Sequence, residues 1–444
     1  MTLAQPIPTP MPHFLILSHG FNMDGRAASQ TITDKLPFLS AHGVHLSVLS
    51  AVTGIRDKAV THQQLLPWGP SGLRFDLRHM LRLRIGKGFA YRMIMLVVSI
   101  VLLPLIVLER ALFGLQSQWS WAFPAAIRGA LMLRKTAGTV VYSTGGAYSA
   151  HLAAYWLKRW LGAPWIAEIH DPMVRPGQVP QTRDQRFQAW LEKMICTHAD
   201  RVWWFTEGAL RGAQARNPQL AARGFVVFPG ANPPTVQASY RRGEQLVFAH
   251  FGSLDATRSL APFVRTLGQW LQRYPERRRQ IRVDIYGGAL DTDSSKLAET
   301  LGIESLMVCH GRLEACPESG LSGRERVMIK MHEADCLLLM HGMIPECPEY
   351  IPSKVYEYFW TRRPVLALTW RNPQLDRLVI EHGGYVAPTD DQAAILNGID
   401  SIYADWSAGC LTMTPEASPP LGVEQAVRRI LDECGTAGLV GENK

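Results

Sequence analysis

Short apolar runs alternate with stretches of helical periodicity along most of the chain. The first apolar run, residues 13–17, leads through a glycine-containing loop into a helical pattern at 27–39, and a second run lies within 41–51. Strands that are apolar on both faces and alternate with helices are typical of a parallel sheet covered on both sides. Further strands are predicted at 139–143, 165–169, 202–206, 247–251, 282–286, 306–310, 336–340 and 364–368.

A segment rich in proline and glycine, residues 228–245, separates two such series of strands and helices. The fold class predicted is therefore α/β, with two Rossmann-like doubly wound domains facing across a cleft. Ligands of such sheets bind beyond the carboxyl ends of the strands. We expect an N-terminal domain at 1–228, a linker at 229–245, a C-terminal domain at 246–405, and a C-terminal tail and helix at 406–444 that can pack back on the N-terminal domain.

One apolar run does not fit the strand pattern. Residues 93–108 contain no charged residue, include Pro104, and are followed directly by Glu109 and Arg110. The run is shorter than the roughly 20 residues of a bilayer-spanning helix. It also lies between strands of one predicted sheet, so a single crossing would place those strands on opposite sides of a membrane. Three interpretations stay open: a re-entrant or interfacial segment, a buried hairpin, or a core helix.

The residues before this run predict a basic amphipathic helix. Arg74, Arg78 and Arg82 share one helix face, whereas Leu73, Leu77 and Met80 share another. A basic helix that leads into an apolar run suits the surface of an anionic membrane. We therefore expect a membrane-associating insertion at about 73–115; the alternative is a solvated face beside a core helix. The residues expected to face the membrane are Arg74, Arg78, Arg82, Met93, Leu96 and Leu103.

Composition narrows the class of protein. The 444 residues are 47% hydrophobic and 19% charged, as in globular proteins, and the net charge is +8. Such a charge permits an anionic partner. The arginines cluster beside an apolar run and do not interleave with aromatic residues, so we expect no nucleic-acid partner.

Several kinds of site are not indicated by the sequence. The seven cysteines are scattered without a C-x-x-C pair, which indicates reduced thiols in a cytosol. The first residues lack the basic region of a signal peptide. Walker, G-x-G-x-x-G, G-x-S-x-G and H-E-x-x-H patterns are absent. We therefore expect no bound cofactor and no metal site.

The stretch "EYIPSKVYEYFWTRRPVLAL", residues 349–368, carries candidate chemistry. Pro352 suits the first turn of a helix, whose amino end attracts a diphosphate, and Lys354 adds a positive charge there. Glu349 and Glu357 can then accept hydrogen bonds from the vicinal hydroxyls of a sugar and a ribose. The alternative is a surface ion pair between Lys354 and Glu357, with Glu349 a solvated loop residue.

This stretch resembles the E-x7-E segment of retaining glycosyltransferases of family 4, in the variant with a P-S-K centre, of the bacterial polysaccharide-biosynthesis type. The resemblance implies the GT-B fold, with an N-terminal acceptor domain and a C-terminal nucleotide-sugar donor domain. It also implies that Glu349 contacts the donor sugar and Glu357 the ribose, with Pro352 and Ser353 in the donor site. Arg362 stands where the family has glycine.

Two stretches of the N-terminal half are similar to the same family. "SHGFNMDGRAASQ" resembles its first glycine loop, which places Gly25 near the donor diphosphate or the acceptor. "PWIAEIHDPM" resembles its strand end with a histidine, which places His170 beside the transferred sugar. A lone histidine is more often structural, but its place at the carboxyl end of a strand favours the functional interpretation.

Two stretches of the C-terminal half extend the resemblance. "FGSLDATRSL" is similar to the family's segment with two basic residues, which places Gly252, Ser253 and Arg258 at the donor. Ser253 stands where arginine is common. "VCHGRL" resembles the strand end whose backbone contacts the base, which places Gly311 and Arg312 there. The expected catalytic residues are Glu349, His170, Lys354 and Arg258.

The resemblance implies metal-independent transfer of a sugar, with retained configuration, from a UDP- or GDP-sugar. The basic helix and the apolar run suggest a lipid-linked or other membrane-bound glycan as the acceptor. We expect the protein at the inner face of the cell membrane, on the cytoplasmic side, as a peripheral or monotopic protein. The alternatives are a sugar-nucleotide epimerase or hydrolase, and an inactive sugar-nucleotide-binding scaffold.

Overall fold

The computed structural model describes residues 12–23, 26–136, 138–236, 238–411 and 418–439. The chain divides into two compact units: unit 1 comprises Met1–Pro229 and Val423–Lys444, and unit 2 comprises Gly230–Gly422.

Parallel strands and α-helices make up both units. The strands are β1 His13–Leu17, β2 His45–Ala51, β3 Thr61–Leu65, β4 Thr139–Thr144, β5 Trp165–Ile169, β6 Arg201–Trp204, β7 Gly224–Val226, β8 Leu246–Phe251, β9 Ile281–Tyr286, β10 Met307–Gly311, β11 Cys336–Met340, β12 Val365–Thr369 and β13 Tyr385–Pro388. The helices are α1 Ala27–Thr33, α2 Leu36–Ala41, α3 Pro70–Ile85, α4 Phe89–Leu112, α5 Ala122–Leu133, α6 Tyr148–Leu161, α7 Arg183–His198, α8 Glu207–Arg216, α9 Ala261–Arg273, α10 Thr292–Thr300, α11 Gly323–Glu333, α12 Lys354–Thr361, α13 Pro373–Glu381, α14 Gln392–Ser407 and α15 Val423–Thr436.

In unit 1 the described strands form a parallel sheet in the order β3-β2-β1-β4-β5-β6-β7. Strand β1 lies between β2 and β4, with Leu15 opposite Ser47 of β2 and Val141 of β4. Its side chains alternate between two apolar cores. Leu15 and Leu17 face a core that includes α5 and α6, whereas Phe14 and Ile16 face a core that includes α15. The sheet is therefore covered on both faces, as its apolar strands predict.

In unit 2 the described strands form a second parallel sheet, in the order β10-β9-β8-β11-β12-β13. Its core contains side chains from α9 and α14, such as Phe263 and Ile399. The two sheets confirm the predicted α/β class with two Rossmann-like units. Strands β3, β7 and β13 are additional to the prediction; the first is polar ("THQQL") and the other two have three and four residues.

Helices α3 and α4 pack together as a helical hairpin, residues 70–112, inserted between β3 and β4 of one sheet. Glu109 of α4 closes its base, because its carboxylate accepts hydrogen bonds from the Ser71 amide (2.7 Å) and from Nε1 of Trp119 (2.8 Å). Helix α4 has 24 residues and so extends the uncharged run at both ends. It is the one described helix that is long and apolar enough to cross a membrane, by length and composition alone.

The side chains of α4 exclude two of the three interpretations left open by the sequence. A core helix or a buried hairpin would cover its apolar residues, yet most of them are exposed. Met95 and Ile106 are buried on the side that faces inward. The exposed apolar residues of α4 are Phe89, Met93, Ile94, Leu96, Val97, Ile100, Val101, Leu103, Leu105, Val107, Leu108 and Leu112.

Candidate active site

The stretch 349–368 follows β11 in unit 2 and runs through α12 into β12. Glu349 is buried at the end of a short 3-10 turn, and Glu357 is buried in α12. Helix α12 begins at Lys354, so Pro352 precedes the N-cap residue Ser353 and is not in the first helical turn as the sequence predicted. The Pro352 carbonyl nevertheless accepts a hydrogen bond from the Val355 amide (3.0 Å), which starts the turn.

Glu357 is held by two cations. Its Oε2 lies 2.5 Å from Nζ of Lys354, and its Oε1 lies 3.6 Å from Nε of Arg324 in α11. The ion pair of the alternative interpretation is therefore present, but Glu357 is buried and Lys354 is partly buried, so it is not a solvated surface pair. Glu349 is likewise buried and is not a solvated loop residue.

Two buried side chains fix the loop that carries Glu349. His341, which follows β11, accepts a hydrogen bond from the Trp370 amide at Nδ1 (3.2 Å), so its Nε2–H donates to the Tyr350 carbonyl (3.1 Å). Asn372, which follows β12, donates from Nδ2 to the carbonyls of Cys347 and Tyr350, both at 2.8 Å. The backbone on both sides of Glu349 is therefore held by residues that follow two adjacent strands, β11 and β12.

Arg258 lies beside this loop. Its Nε is buried and has no hydrogen-bond partner among the described residues. Burial, with a smaller effect of the charge of Arg258, lowers the pKa of His250 to about 4 and that of His341 to about 4. Burial raises the pKa of Tyr350 to about 12, against the effect of Arg258. Arg258 is thus a cation among neutral buried groups, with a donor available to an anion.

Glycines line the strand ends next to Arg258. Gly252 follows β8 with a φ of 144°, and Gly311 ends β10 with a φ of 67°, a conformation that favours glycine. A Cβ on Gly287 would lie 2.8 Å from the Gly252 carbonyl oxygen, so the two backbones are in close contact. Ser253 and Arg312, which follow Gly252 and Gly311, are exposed. This edge of the sheet is therefore open to a ligand at the backbone.

An aromatic stack borders the same edge. The ring of Phe251 stacks on Tyr286 at 4.7 Å, and the ring of Tyr286 stacks on His310 at 4.4 Å. Nε2 of His310 lies 3.1 Å from Oδ1 of the buried Asp284. Sequence reasoning overlooked this stack, although aromatic residues at the ends of two adjacent strands were its signal.

In unit 1, His170 follows the carboxyl end of β5. Its Nε2 lies 2.8 Å from Oε1 of Glu168 and 3.1 Å from Oγ1 of Thr144. Glu168 is fully buried and its Oε2 accepts hydrogen bonds from Lys35 (2.6 Å), Tyr142 (2.7 Å) and Trp203 (3.0 Å). The sequence pointed to His170 but not to this carboxylate, whose signal was a charge inside an apolar strand.

Two further sequence predictions concern glycine positions and metals. Gly25 lies outside the described residues. Arg362, which stands where the family resembled in sequence has glycine, is the C-cap of α12 with φ 55° and ψ 23°. This left-handed conformation explains why glycine suits the position. Among the described residues, no group of three or more His, Cys, Asp or Glu side chains is placed to hold a metal ion.

Comparisons with known proteins concern the family and the fold of the chain. Residues 96–231 match the family model described as "Glycosyl transferase 4-like domain". No curated protein matches the sequence of the chain.

Solved structures similar to the whole chain include Anabaena Alr3699/HepE in complex with UDP and glucose, 13% identical over 95% of this chain and 99% of that one, with a TM-score of 0.55. WaaG, a glycosyltransferase involved in lipopolysaccharide biosynthesis, is 13% identical over 97% of this chain and 100% of that one, with a TM-score of 0.52. S. aureus MnaA, in a structure with UDP, is 10% identical over 98% of this chain and 99% of that one, with a TM-score of 0.51.

At these identities the likeness establishes the fold. The GT-B fold inferred from the sequence is therefore confirmed, and the match of residues 96–231 supports a glycosyltransferase.

Proposed function

We propose that the protein is a retaining glycosyltransferase that moves a sugar from a nucleotide-diphosphate sugar to a lipid-linked or other membrane-bound glycan, in polysaccharide or glycolipid biosynthesis. The observation that carries this proposal is Arg258 beside the loop of Glu349, because its buried Nε has no hydrogen-bond partner in the described part of the chain. A diphosphate would supply the missing acceptor. The UDP and glucose in the similar HepE structure agree with such a ligand.

The reaction breaks an anomeric C–O bond with a diphosphate as the leaving group. Catalysis then depends on stabilising the negative charge that grows on that group. Arg258, Lys354 and the amino end of α12 provide positive charge for it. Glu349 and Glu357 provide carboxylates for the hydroxyls of the sugar and the ribose. Because front-face attack guided by the leaving phosphate accounts for retention, no carboxylate has to act as a covalent nucleophile.

The donor is identified by thermal shift of the folded protein with UDP-, GDP-, ADP- and CMP-sugars. We expect a UDP- or GDP-sugar to raise the melting temperature, since a ligand that binds only the folded state stabilises it. Stabilisation by none of the four would contradict the donor site. Nuclear magnetic resonance of the product then reports the anomeric configuration, and an inverted product would exclude retention.

Two substitutions test the carboxylates. Glu349→Gln and Glu357→Gln should each lower transfer about 10- to 100-fold, the effect of weakened hydrogen bonds to substrate hydroxyls. Glu299→Gln changes an exposed glutamate of α10 in the same unit and serves as the control. Near-normal transfer by both variants would assign Glu349 and Glu357 a structural role only.

The proposed membrane acceptor rests on the exposed apolar surface of α4. A dozen large apolar side chains of this helix are between 42% and 79% exposed. Transferring their exposed halves from water to hydrocarbon would contribute roughly 10 kcal/mol before the costs of association. A soluble monomer rarely exposes so large an apolar surface. We therefore propose that α4 binds the membrane that carries the acceptor.

The sheet of unit 1 determines how α4 can bind. Strands β1 and β4 are hydrogen-bonded neighbours, and α4 lies between them in the chain. One crossing of the bilayer would separate these two strands, so α4 cannot be a single span. The proposed mode is monotopic, with α4 lying in the interface on the cytoplasmic side of the inner face of the cell membrane.

The charges of α3 suit an anionic surface. Arg74, Arg78 and Arg82 are exposed, and Nε of Arg74 also donates a hydrogen bond to Oγ of Ser99 in α4 (2.9 Å). Each basic residue near an anionic membrane contributes about 1 kcal/mol. Binding should therefore weaken in high salt and on neutral vesicles.

Flotation with anionic vesicles at low salt tests this proposal. Ile100→Glu should weaken flotation, whereas Ile380→Glu in unit 2 is the matched control, since the two isoleucines are 62% and 61% exposed. If the unaltered protein stays in the soluble fraction, membrane association is wrong. Equal loss with both variants would also contradict a specific role of α4.

An epimerase or hydrolase and an inactive scaffold make different predictions. An epimerase or hydrolase would consume the nucleotide sugar without an acceptor, and a scaffold would bind it without turnover. Transfer that requires an added lipid-linked acceptor would exclude both alternatives.

A further inference from the structure

The carboxylate of Glu168 receives hydrogen bonds from five side chains. Oε2 accepts from Lys35, Tyr142 and Trp203, and Oε1 accepts from Thr144 (2.7 Å) and His170. An ionised carboxylate offers about four lone-pair sites and no donor, so every one of its sites is used. Burial alone would raise the pKa of Glu168, but the charge of Lys35 and the hydrogen bonds from His170 and Lys35 hold this pKa well below its usual range.

Stability alone does not account for this arrangement. Glu168 and Lys35 are both fully buried, and well-packed apolar side chains of similar volume are often as stabilising as a buried ion pair. Buried polar groups of this kind specify a geometry. The group whose geometry they fix here is His170, because Glu168 precedes it by two residues at the carboxyl end of β5.

The hydrogen bonds around His170 determine its tautomer. Glu168 is ionised and accepts only, and the Thr144 hydroxyl already donates to Glu168. Nε2 of His170 faces Oε1 of Glu168 and Oγ1 of Thr144, so Nε2 must carry the proton. In the neutral imidazole Nδ1 is then the acceptor. The ring of Phe205, 4.8 Å from the His170 ring, supports this orientation.

We propose that Glu168 is a positioning residue, which keeps the proton of His170 on Nε2 so that Nδ1 accepts a hydrogen bond from a substrate hydroxyl. The part that concerns the substrate rests on the proposed function. The tautomer itself does not, because it follows from the contacts within unit 1. Lys35 keeps Glu168 ionised, and Thr144 aligns the oxygen that faces His170.

The first test measures the tautomer directly. In ¹⁵N-histidine-labelled full-length protein, at a pH above which the His170 signal no longer changes, His170 should show a protonated Nε2 and an unprotonated Nδ1. The signal is assigned by its loss in His170→Gln. A protonated Nδ1 in the unaltered protein would overturn the proposal, whatever the activity.

The second test removes both charges together. Lys35→Met/Glu168→Gln avoids an unpaired buried charge, and its amide can donate to the ring, so Nε2–H should no longer be the sole tautomer. We expect kcat to fall about 10- to 100-fold and KM for the donor to change less than about threefold. Thr144→Val is a second variant with a milder effect in the same direction.

A matched double variant separates positioning from stability. Glu192 is also a buried carboxylate of unit 1, and it accepts hydrogen bonds from Nε (2.8 Å) and a terminal nitrogen (3.0 Å) of Arg216. Arg216→Met/Glu192→Gln should leave the tautomer of His170 and kcat unchanged.

If Lys35→Met/Glu168→Gln and Thr144→Val both fold, keep Nε2–H alone and retain kcat, Glu168 has a structural role only and the proposal is overturned. The predicted tautomers in a protein that transfers no sugar would contradict the proposed function and leave the positioning of His170 supported.

Discussion

Replacing Arg258 with leucine should separate the stability of unit 2 from its affinity for a nucleoside diphosphate. The buried Nε of Arg258 has no partner among the described residues, and an unsatisfied buried donor costs about 1–3 kcal/mol. Leucine removes this donor together with the interaction with Tyr350. Because the two effects oppose each other, we expect the free energy of unfolding of the unliganded protein to change by less than about 1 kcal/mol.

The affinity for a nucleoside diphosphate should change much more than the stability in Arg258→Leu. A hydrogen bond between a charged donor and a phosphate contributes about 1.5–3 kcal/mol, so Kd for the preferred nucleotide should rise about 10- to 150-fold. Isothermal titration with UDP and with GDP measures this change, and urea unfolding measures the stability. Loss of the Arg258 charge should also raise the pKa of His341, which that charge now lowers.

Arg265→Leu provides the control, since it removes an exposed arginine from α9 of the same unit. It should leave Kd unchanged. Unchanged Kd for both nucleotides in folded Arg258→Leu would refute the role given to Arg258. If Arg258→Leu instead lowers the free energy of unfolding by more than about 3 kcal/mol, Arg258 has a structural role, because removing one partner of a buried ion pair destabilises a protein by this amount.

Three other predictions follow from single features of the structure. Arg362→Gly should stabilise unit 2 by about 1 kcal/mol, because Arg362 has a left-handed backbone conformation at the end of α12. Arg377→Gly within α13 should destabilise unit 2 by about as much. Thermal unfolding measures both changes, and a change of the same sign in the two variants would contradict this prediction. The pKa of His250 is lowered by burial to about 4, below its unfolded value of about 6.5, so its stabilising effect is complete above about pH 6.5 and is lost as the pH falls towards 4. Urea unfolding should therefore show a shallower loss over this range in His250→Asn, and an unchanged slope would argue against a neutral buried His250. Glu109→Ala should expose the first turn of α3 to hydrogen exchange, since Glu109 accepts the Ser71 amide, and unchanged protection of that turn would show that the base of the hairpin is held by packing alone.

Patterns along the chain predicted most of the strands but not the polar or very short ones. Strands β4, β5 and β11 are buried at every position; β11 is a continuous apolar run, β5 is apolar apart from Glu168, and β4 begins with the apolar pair Val140 and Val141 after Thr139. Strand β3 reads "THQQL", with four of its five residues polar, and periodicity carries no signal for it. The uncharged run 93–108 is shorter than α4, because helix formation continues through Arg92 and Glu109 at either end.

In the candidate site, residues that are close in the sequence could be predicted, whereas partners that are distant in the sequence could not. Glu349, Lys354 and Glu357 lie within nine residues, so their spacing alone brought them to attention. Glu168 and Lys35 are 133 residues apart in the chain, and only the fold brings them together. A charge in a buried strand signals that some partner exists, but no local pattern identifies which one.

Helix α15 has a consequence for how the protein is made. Ala426, Val427 and Ile430 of this helix complete the core beneath β1 and β4, yet they follow all of unit 2 in the sequence. A ribosome therefore releases the amino-terminal part of unit 1 with this face of its sheet covered only in part, by α1 and α2, and must translate the 193 residues of unit 2 before α15 appears. During that interval the uncovered part of this face is a surface for chaperones or for misassembly. Unit 2 is a single continuous segment and meets no such delay.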